Sequence, residues 1–233
     1  YAGSEFDGRT KFKFKLKKTT RTRNALWHAA CDHHQVEKEM KTPLRRGGKN
    51  ALNIYACTPG DLLGFATWPW EVKNARALDG VVIATSTLPN PRASHPFNEG
   101  DTLVHEVGHY LGLLHTFDGG VCSNTYTTQD LIVDTPAQSA PDYGSSASTA
   151  CGVTSAIENF MNYSVDSAMY TFTEEQTNRV ICSQTSYRPD GYRFEADGTF
   201  TATGASSPLT VTGLTNGNTY SCSVVATNSA GSS

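Results

Sequence analysis

The chain has no apolar run near the roughly 18–20 residues that cross a bilayer, so no membrane span is expected. Residues 1–7 show no basic stretch leading into an apolar one; if the protein is exported, its secretory leader is expected to have been removed or omitted. Charge is sparse at 18%, but hydrophobic residues make up 38% and aromatics 10%, which excludes long compositional disorder. At 233 residues, one core of ordinary enzyme size plus a small addition is expected. There is no CxxC pair among Cys31, Cys57, Cys122, Cys151, Cys182 and Cys222. An even set without that motif favours disulfides and an oxidising compartment over a zinc ribbon, with six reduced thiols as the alternative. Sequence proximity predicts Cys31–Cys57, Cys122–Cys151 and Cys182–Cys222, one of fifteen connectivities.

Positive charge is scarce after residue 50. Residues 1–50 carry 13 Lys and Arg against 5 Asp and Glu, whereas the remainder carries 6 against 17. A basic arm raises nucleic acid as a partner. However, Lys11, Lys13, Lys15 and Lys17 alternate with Phe12, Phe14 and Leu16, the period of a strand with apolar residues inward and lysines outward. The strand is the preferred reading, and no nucleic acid is expected.

Residues 35–46 predict a helix with Val36, Met40 and Leu44 on one face, ended or kinked early by Pro43 and stopped by Gly47 and Gly48. Leu52, Ile54 and Ala56 alternate with polar or amphipathic neighbours, and residues 80–86 form a short β-branched run; both read as strands. A further helix is expected near Asp101, placed to cap it. Residues 117–157 have little periodicity and much Gly, Ser, Thr, Asp and Pro, a long loop that Cys122–Cys151 would tie down. Composition changes near residue 190. From Phe194 onward the chain has no Lys or Arg and is rich in Thr, Ser and Gly.

The chemistry concentrates in His105-Glu106-Val107-Gly108-His109-Tyr110-Leu111-Gly112-Leu113-Leu114-His115. His105 and His109 lie about 40° apart around a helix, so both imidazoles can reach one ion. His115 would lie about 240° from His109 on a continued helix, so the chain must turn between them. Gly112 is the residue able to take a left-handed, helix-ending conformation. Three neutral imidazoles with an open fourth position describe a catalytic zinc site, with Glu106 placed to act on water whose pKa the ion lowers to about 7. His28, His33, His34 and His95 read instead as loop or surface residues.

This segment matches the extended zinc signature of the metzincin metallopeptidases, and Asn159-Phe160-Met161-Asn162-Tyr163 resembles their Met-turn. The wider chain, over roughly residues 10–190, is similar to the pappalysin and cytophagalysin (ulilysin-like) family. The shared features are Leu52-Asn53-Ile54-Tyr55, Gly80-Val81-Val82-Ile83, Gly100-Asp101-Thr102-Leu103, His115-Thr116-Phe117, Asp134-Thr135-Pro136 and Phe172-Thr173 with Gln176. The resemblance implies an α+β metzincin fold: a twisted mixed sheet with two main helices, above a loop-rich C-terminal subdomain carrying the Met-turn. It implies Zn2+ on His105, His109 and His115, Glu106 as general base and later proton donor, Met161 as the floor of the site, and Tyr163 as a donor to the oxyanion. A secreted, monomeric, extracellular endopeptidase acting on protein or peptide substrates follows. Pro43 and Ala168 depart from the family's pattern.

Some members of the family bind Ca2+ between zinc site and Met-turn; here Asp118, Asp130, Asp134 and Asp142 are either such ligands or solvated loop carboxylates. Asn162-Tyr163-Ser164 reads as a glycosylation sequon but overlaps the Met-turn and is expected unmodified. Asp166 either lines the pocket for the residue after the cut or sits in a surface loop. Residues 191–233, with Leu209-Thr210-Val211-Thr212-Gly213-Leu214 and Tyr220, resemble the later strands of a fibronectin type III module, about 40 residues of the roughly 100 such a module needs. Two rivals are a zinc hydrolase of a non-peptide acyl substrate and a non-catalytic adhesion module.

Overall fold

A computed structural model describes residues 14–90, 92 and 94–188, and the backbone of 227–228 and 231–232. The order is α1 (Ala25–Ala29), α2 (His34–Leu44), β1 (Ile54–Cys57), β2 (Gly64–Ala66), β3 (Val81–Ala84), α3 (Asp101–Leu111) and α4 (Glu174–Tyr187), then β4 (Thr227–Asn228) and β5 (Gly231–Ser232). The first three strands form a mixed sheet in the order β1-β3-β2, with β1 parallel and β2 antiparallel to β3. β3 is central because all four of its residues are apolar and buried, as a strand covered on both faces requires. Val81 and Ile83 face α3 and α4, packing with Tyr110, Leu111, Leu113, Met161 and Val180. Val82 faces α1 and α2, packing with Tyr55, Cys57, Cys31 and Met40.

Four local expectations are corrected, one of them in part. In β1, Tyr55 and Cys57 are buried while Ile54 is exposed. Cys57 is drawn inward by its disulfide to Cys31, which sets the opposite phase for the whole strand. Of the expected α2 face, Met40 is buried and Leu44 packs against the same cluster, but Glu37 and Lys41 rather than Val36 complete it, with Lys41 Nζ bonded to Glu37 Oε1 at 2.6 Å and to Leu78 O at 2.7 Å. Burial lowers the Lys41 pKa, and Glu37 opposes that shift. Pro43 lies in the last turn of α2, which ends before Arg45, so it marks the helix end without shortening it. Finally, residues 14–17 form no strand, and Phe14 and Leu16 are 52% and 82% exposed. No described strand pairs with them, and Lys11, Phe12 and Lys13 of the same expected strand lie outside the described residues.

The expected disulfides Cys31–Cys57 and Cys122–Cys151 are formed. The third pairing and the fibronectin-like motif fall outside the described residues, because they involve Cys222 and residues 209–220. Among the described residues, no helix is long and apolar enough to cross a membrane.

Candidate active site

α3 carries the first two histidines. Its start is held by Asp166, whose Oδ2 accepts the N–H groups of Glu99 (2.8 Å), Gly100 (3.1 Å) and Asp101 (3.4 Å). A carboxylate here meets both the unpaired amides and the positive end of the helix dipole. Asp101, expected to cap the helix, is instead its first residue, with Gly100 at φ 106° before it. Asp166 is 2% exposed, so it is no surface loop residue.

At the other end, Gly112 takes φ 105°, as the expected turn requires. Its N–H reaches His109 O at 2.9 Å, and the Leu113 N–H reaches Gly108 O at 2.9 Å. A side chain at Gly112 would also collide with Ser183 of α4. Gln184 Nε2 donates to Leu111 O (3.1 Å) and Arg179 Nε to Gly112 O (2.9 Å), so α4 satisfies carbonyls at the end of α3.

The turn brings His115 back to His105 and His109. Their Nε2 atoms stand 2.9, 3.0 and 3.1 Å apart, near the about 3.3 Å edge of a tetrahedron with zinc–nitrogen distances of 2.0–2.1 Å. His105 Nδ1 donates to Phe160 O at 2.6 Å and His109 Nδ1 to Leu113 O at 2.8 Å. With the Nδ1 of His105 and of His109 committed as donors, their Nε2 atoms present lone pairs to one another and toward His115, an arrangement that a shared cation makes favourable. Protons are a poor substitute. Burial, then the neighbouring imidazoles, lowers the His105 pKa well below its usual value; burial takes His109 down to about 4, and burial with His109 takes His115 down to about 3. This is the one group of three or more His, Cys, Asp or Glu among the described residues placed to hold a metal.

Glu106 is 6% exposed, and burial pushes its carboxyl up to about 8. Its Oε2 has no hydrogen-bond partner. A buried carboxyl of this kind also fits a cation beside it, whose charge would restore the ionised form. Room for it is made by Gly64 on β2: a Cβ there would stand 2.7 Å from Glu106 Cγ and 2.8 Å from Val82 O.

Met161 is fully buried, and its sulfur occupies the space that a side chain on Gly108 would need. Met161 O accepts the Thr116 N–H at 3.2 Å, joining the segment after His115 to the turn that also supplies Phe160 O. Tyr163 lies against His115 (ring centroids 4.8 Å) and His105 (5.7 Å). Its pKa is raised by burial first and by the Glu106 charge second. Phe117 stacks on His115 at 4.8 Å, and Trp68 meets His109 edge-on at 4.8 Å. Gly64, Trp68, the Phe160 carbonyl and the capping by Asp166 escaped the sequence reading. Each acts across distant chain segments, which no local pattern in the sequence signals.

The remaining candidates divide. His28, His33 and His34 are exposed and His95 is half-buried, none near the histidine cluster. The four loop aspartates are engaged separately: Asp130 Oδ2 accepts from Thr135 (2.8 Å), Asp134 Oδ2 from the Glu175 N–H (2.9 Å), and Asp142 from Gln138, Asn162 and Ser148. Burial raises the Asp118 pKa, and the charge of Arg179, which also acts on Asp130, opposes that shift. Asn162 is 1% exposed, with its amide donating to Asp142 and Ala156 O, which leaves no room for a glycan.

A long helix with two histidines one turn apart, a third returned by a glycine turn, and a methionine turn beneath define a single-metal site on an α+β metzincin fold. Residues 52–183 match the family model of pregnancy-associated plasma protein-A, peptidase M43, and the chain belongs to that family. It is 37% identical over 182 residues to extracellular metalloprotease 1 of Coccidioides posadasii, an alignment covering 75% of this chain and 63% of that protein. It is 40% identical over 189 residues to an extracellular metalloprotease of Pyricularia oryzae, covering 76% and 62%. The chain thus spans under two thirds of the length of these relatives. Mature mirolysin of Tannerella forsythia, solved with a cleaved peptide, matches with a TM-score of 0.56 and 35% identity, covering 66% of this chain and 62% of that one.

Proposed function

We propose that the chain is a secreted, monomeric zinc endopeptidase acting on extracellular proteins or peptides, with residues 1–190 as its catalytic domain and 191–233 as a separate segment. The observation that carries this reading is the set of three Nε2 atoms 2.9–3.1 Å apart, with two of the imidazoles' Nδ1 protons committed to carbonyls and Glu106 buried alongside. His105, His109 and His115 would hold zinc, which when bound would supply the Lewis acidity to polarise a peptide carbonyl and acidify water. The chain's own residues do the rest. β2 sits at the sheet edge, paired on one side to β3, and its outer edge receives the extended substrate by main-chain hydrogen bonds. Glu106 takes the proton of the attacking water and returns it to the leaving amine. Tyr163 donates to the oxyanion, and Met161 supports the helix that carries the first two ligands. Calcium belongs to the same reading as a stabiliser of the loop, with Asp130 as its first candidate: the residue is fully buried and its Oδ1 has no hydrogen-bond partner.

Glu106→Ala is expected to cut hydrolysis of a denatured protein such as gelatin by at least about a hundredfold while keeping one zinc per chain. His109→Ala is expected to lose the metal as well. Undiminished cleavage by the Glu106 variant would sink the mechanism.

A further inference from the structure

Trp68 follows β2 by two residues and lays its ring edge-on against His109, centroids 4.8 Å apart. Trp70 stacks on Trp68 at 4.8 Å with 12° between the planes, and Tyr187 at the end of α4 meets Trp70 edge-on at 6.1 Å. Trp70 and Tyr187 are 38% and 46% exposed. Three rings therefore form a row that starts on a candidate metal ligand and ends in solvent. The row is held in place: Glu71 Oε2 accepts the Trp68 N–H at 3.1 Å, the Glu71 N–H returns to Trp68 O at 3.1 Å, and buried Pro69 packs against Gly112. Rigid aromatic surface left uncovered beside a reaction centre costs little entropy to use and gains from burial.

We propose that Trp68, Trp70 and Tyr187 form a substrate subsite that takes a planar apolar side chain, aromatic or proline, about three residues from the scissile bond. The inference rests on the endopeptidase reading. Two steps of 4.8 Å carry the row up to about 10 Å from His109, the span of about three residues of extended chain at 3.3 Å each. A peptide laid along the outer edge of β2 reaches the row without turning, because Trp68 continues from that strand. The occupant is thus the substrate itself.

The test uses peptides sharing one cleavable core, with the residue about three positions from the cut, on either side, set to Trp, Phe, Pro, Ala or Asp. The expected result is a two- to tenfold higher kcat/KM for the aromatic and proline peptides on one side, carried by KM. Trp70→Ala is expected to remove most of that preference and Trp70→Phe to keep it. Binding of the same peptides to the zinc-loaded Glu106→Ala protein, followed by tryptophan fluorescence, reads the subsite without turnover. If the Glu106 variant still cleaves, the mechanism fails while the binding preference still decides the subsite. An equal loss on every peptide in Trp70→Ala, a rise on every peptide, or no preference in the unaltered protein would each overturn the proposal.

Discussion

Residues 25–112 contain three of the four described α-helices and the three-stranded sheet, joined by turns. From 113 to 173 the chain has no regular helix or strand, only 3-10 turns and the isolated bridges Thr125–Thr128 and Asn159–Thr171, and side chains bonded to backbone supplement the turn hydrogen bonds. Asn162 Oδ1 accepts from Gln138, from the Asp142 N–H and from the Tyr163 N–H, while Asn159 and Gln176 exchange amide bonds at 2.9 and 3.0 Å. The cross-links differ in the same sense: Cys31 and Cys57 are buried under the sheet, while Cys122 is exposed. The first half is specified by pattern and the second by individual partners. The active-site residues draw on both, since the imidazole of His105 stands on a helix of the first half and takes its orientation from a carbonyl of the second.

The largest expected effect is on the cross-links. Their sequence separations are similar, 26 and 29, so chain entropy assigns each about 3–4 kcal/mol. Under graded reductant, mass spectrometry of alkylated peptides should show Cys122–Cys151 opening first, since Cys31–Cys57 is shielded. Replacing Cys31 and Cys57 together by Ala should lower stability in urea by the full 3–4 kcal/mol or more. Opening in the reverse order would mean that the loop half is the better protected.

Asp166→Ala comes next, because it strips the shared acceptor from the amides at the start of α3. A loss of about 3 kcal/mol is expected, with weaker zinc retention, and Asp166→Asn should recover part of both. Unchanged zinc affinity in the Ala variant would show that the loop half does not brace the helix.

Gly64→Ala adds one methyl where Glu106 Cγ and Val82 O already stand within 3 Å. Destabilisation by about 1–3 kcal/mol is expected, together with a fall in kcat out of proportion to any change in KM, as Glu106 is pushed aside. Zinc content should stay at one per chain; its loss would place the damage in the ligands instead.

The smallest effect separates the two readings of Asp130. Burial raises its pKa from 3.8 to about 6 in the folded protein. Between those values the folded state binds more protons than the unfolded, so this residue's contribution to stability falls as pH rises from about 4 to 6. Asp130→Asn should therefore gain stability relative to the parent over that interval, by about 1–3 kcal/mol, and hold the gain above pH 6. If calcium occupies the loop, added calcium should reverse the sign, and denaturation curves across pH with and without the ion would show it.

The zinc signature was legible because its information is local. Helical spacing pairs His105 with His109, and Gly112 forces the turn that returns His115. The central strand was legible from an apolar run with no alternation. What escaped notice depends on partners far along the chain. The inward phase of β1 is set by a disulfide across 26 residues, the buried Lys41 by Glu37 and a carbonyl at Leu78, and the capping of α3 by an aspartate beyond the Met-turn. Alternation also misled at Phe14 and Leu16, since a period-2 pattern needs a neighbouring strand to receive it and none among the described strands pairs there.

The brace on α3 has a consequence for the order in which the chain is made. All three histidines leave the ribosome by residue 115, yet the carbonyl that orients His105 follows it by 55 residues, and the carboxylate that holds the Glu99 amide follows that residue by 67. A nascent chain therefore carries every candidate ligand for some time before it can align them. Alignment of the three imidazoles on one ion is expected only after the Met-turn and Asp166 have been made and docked.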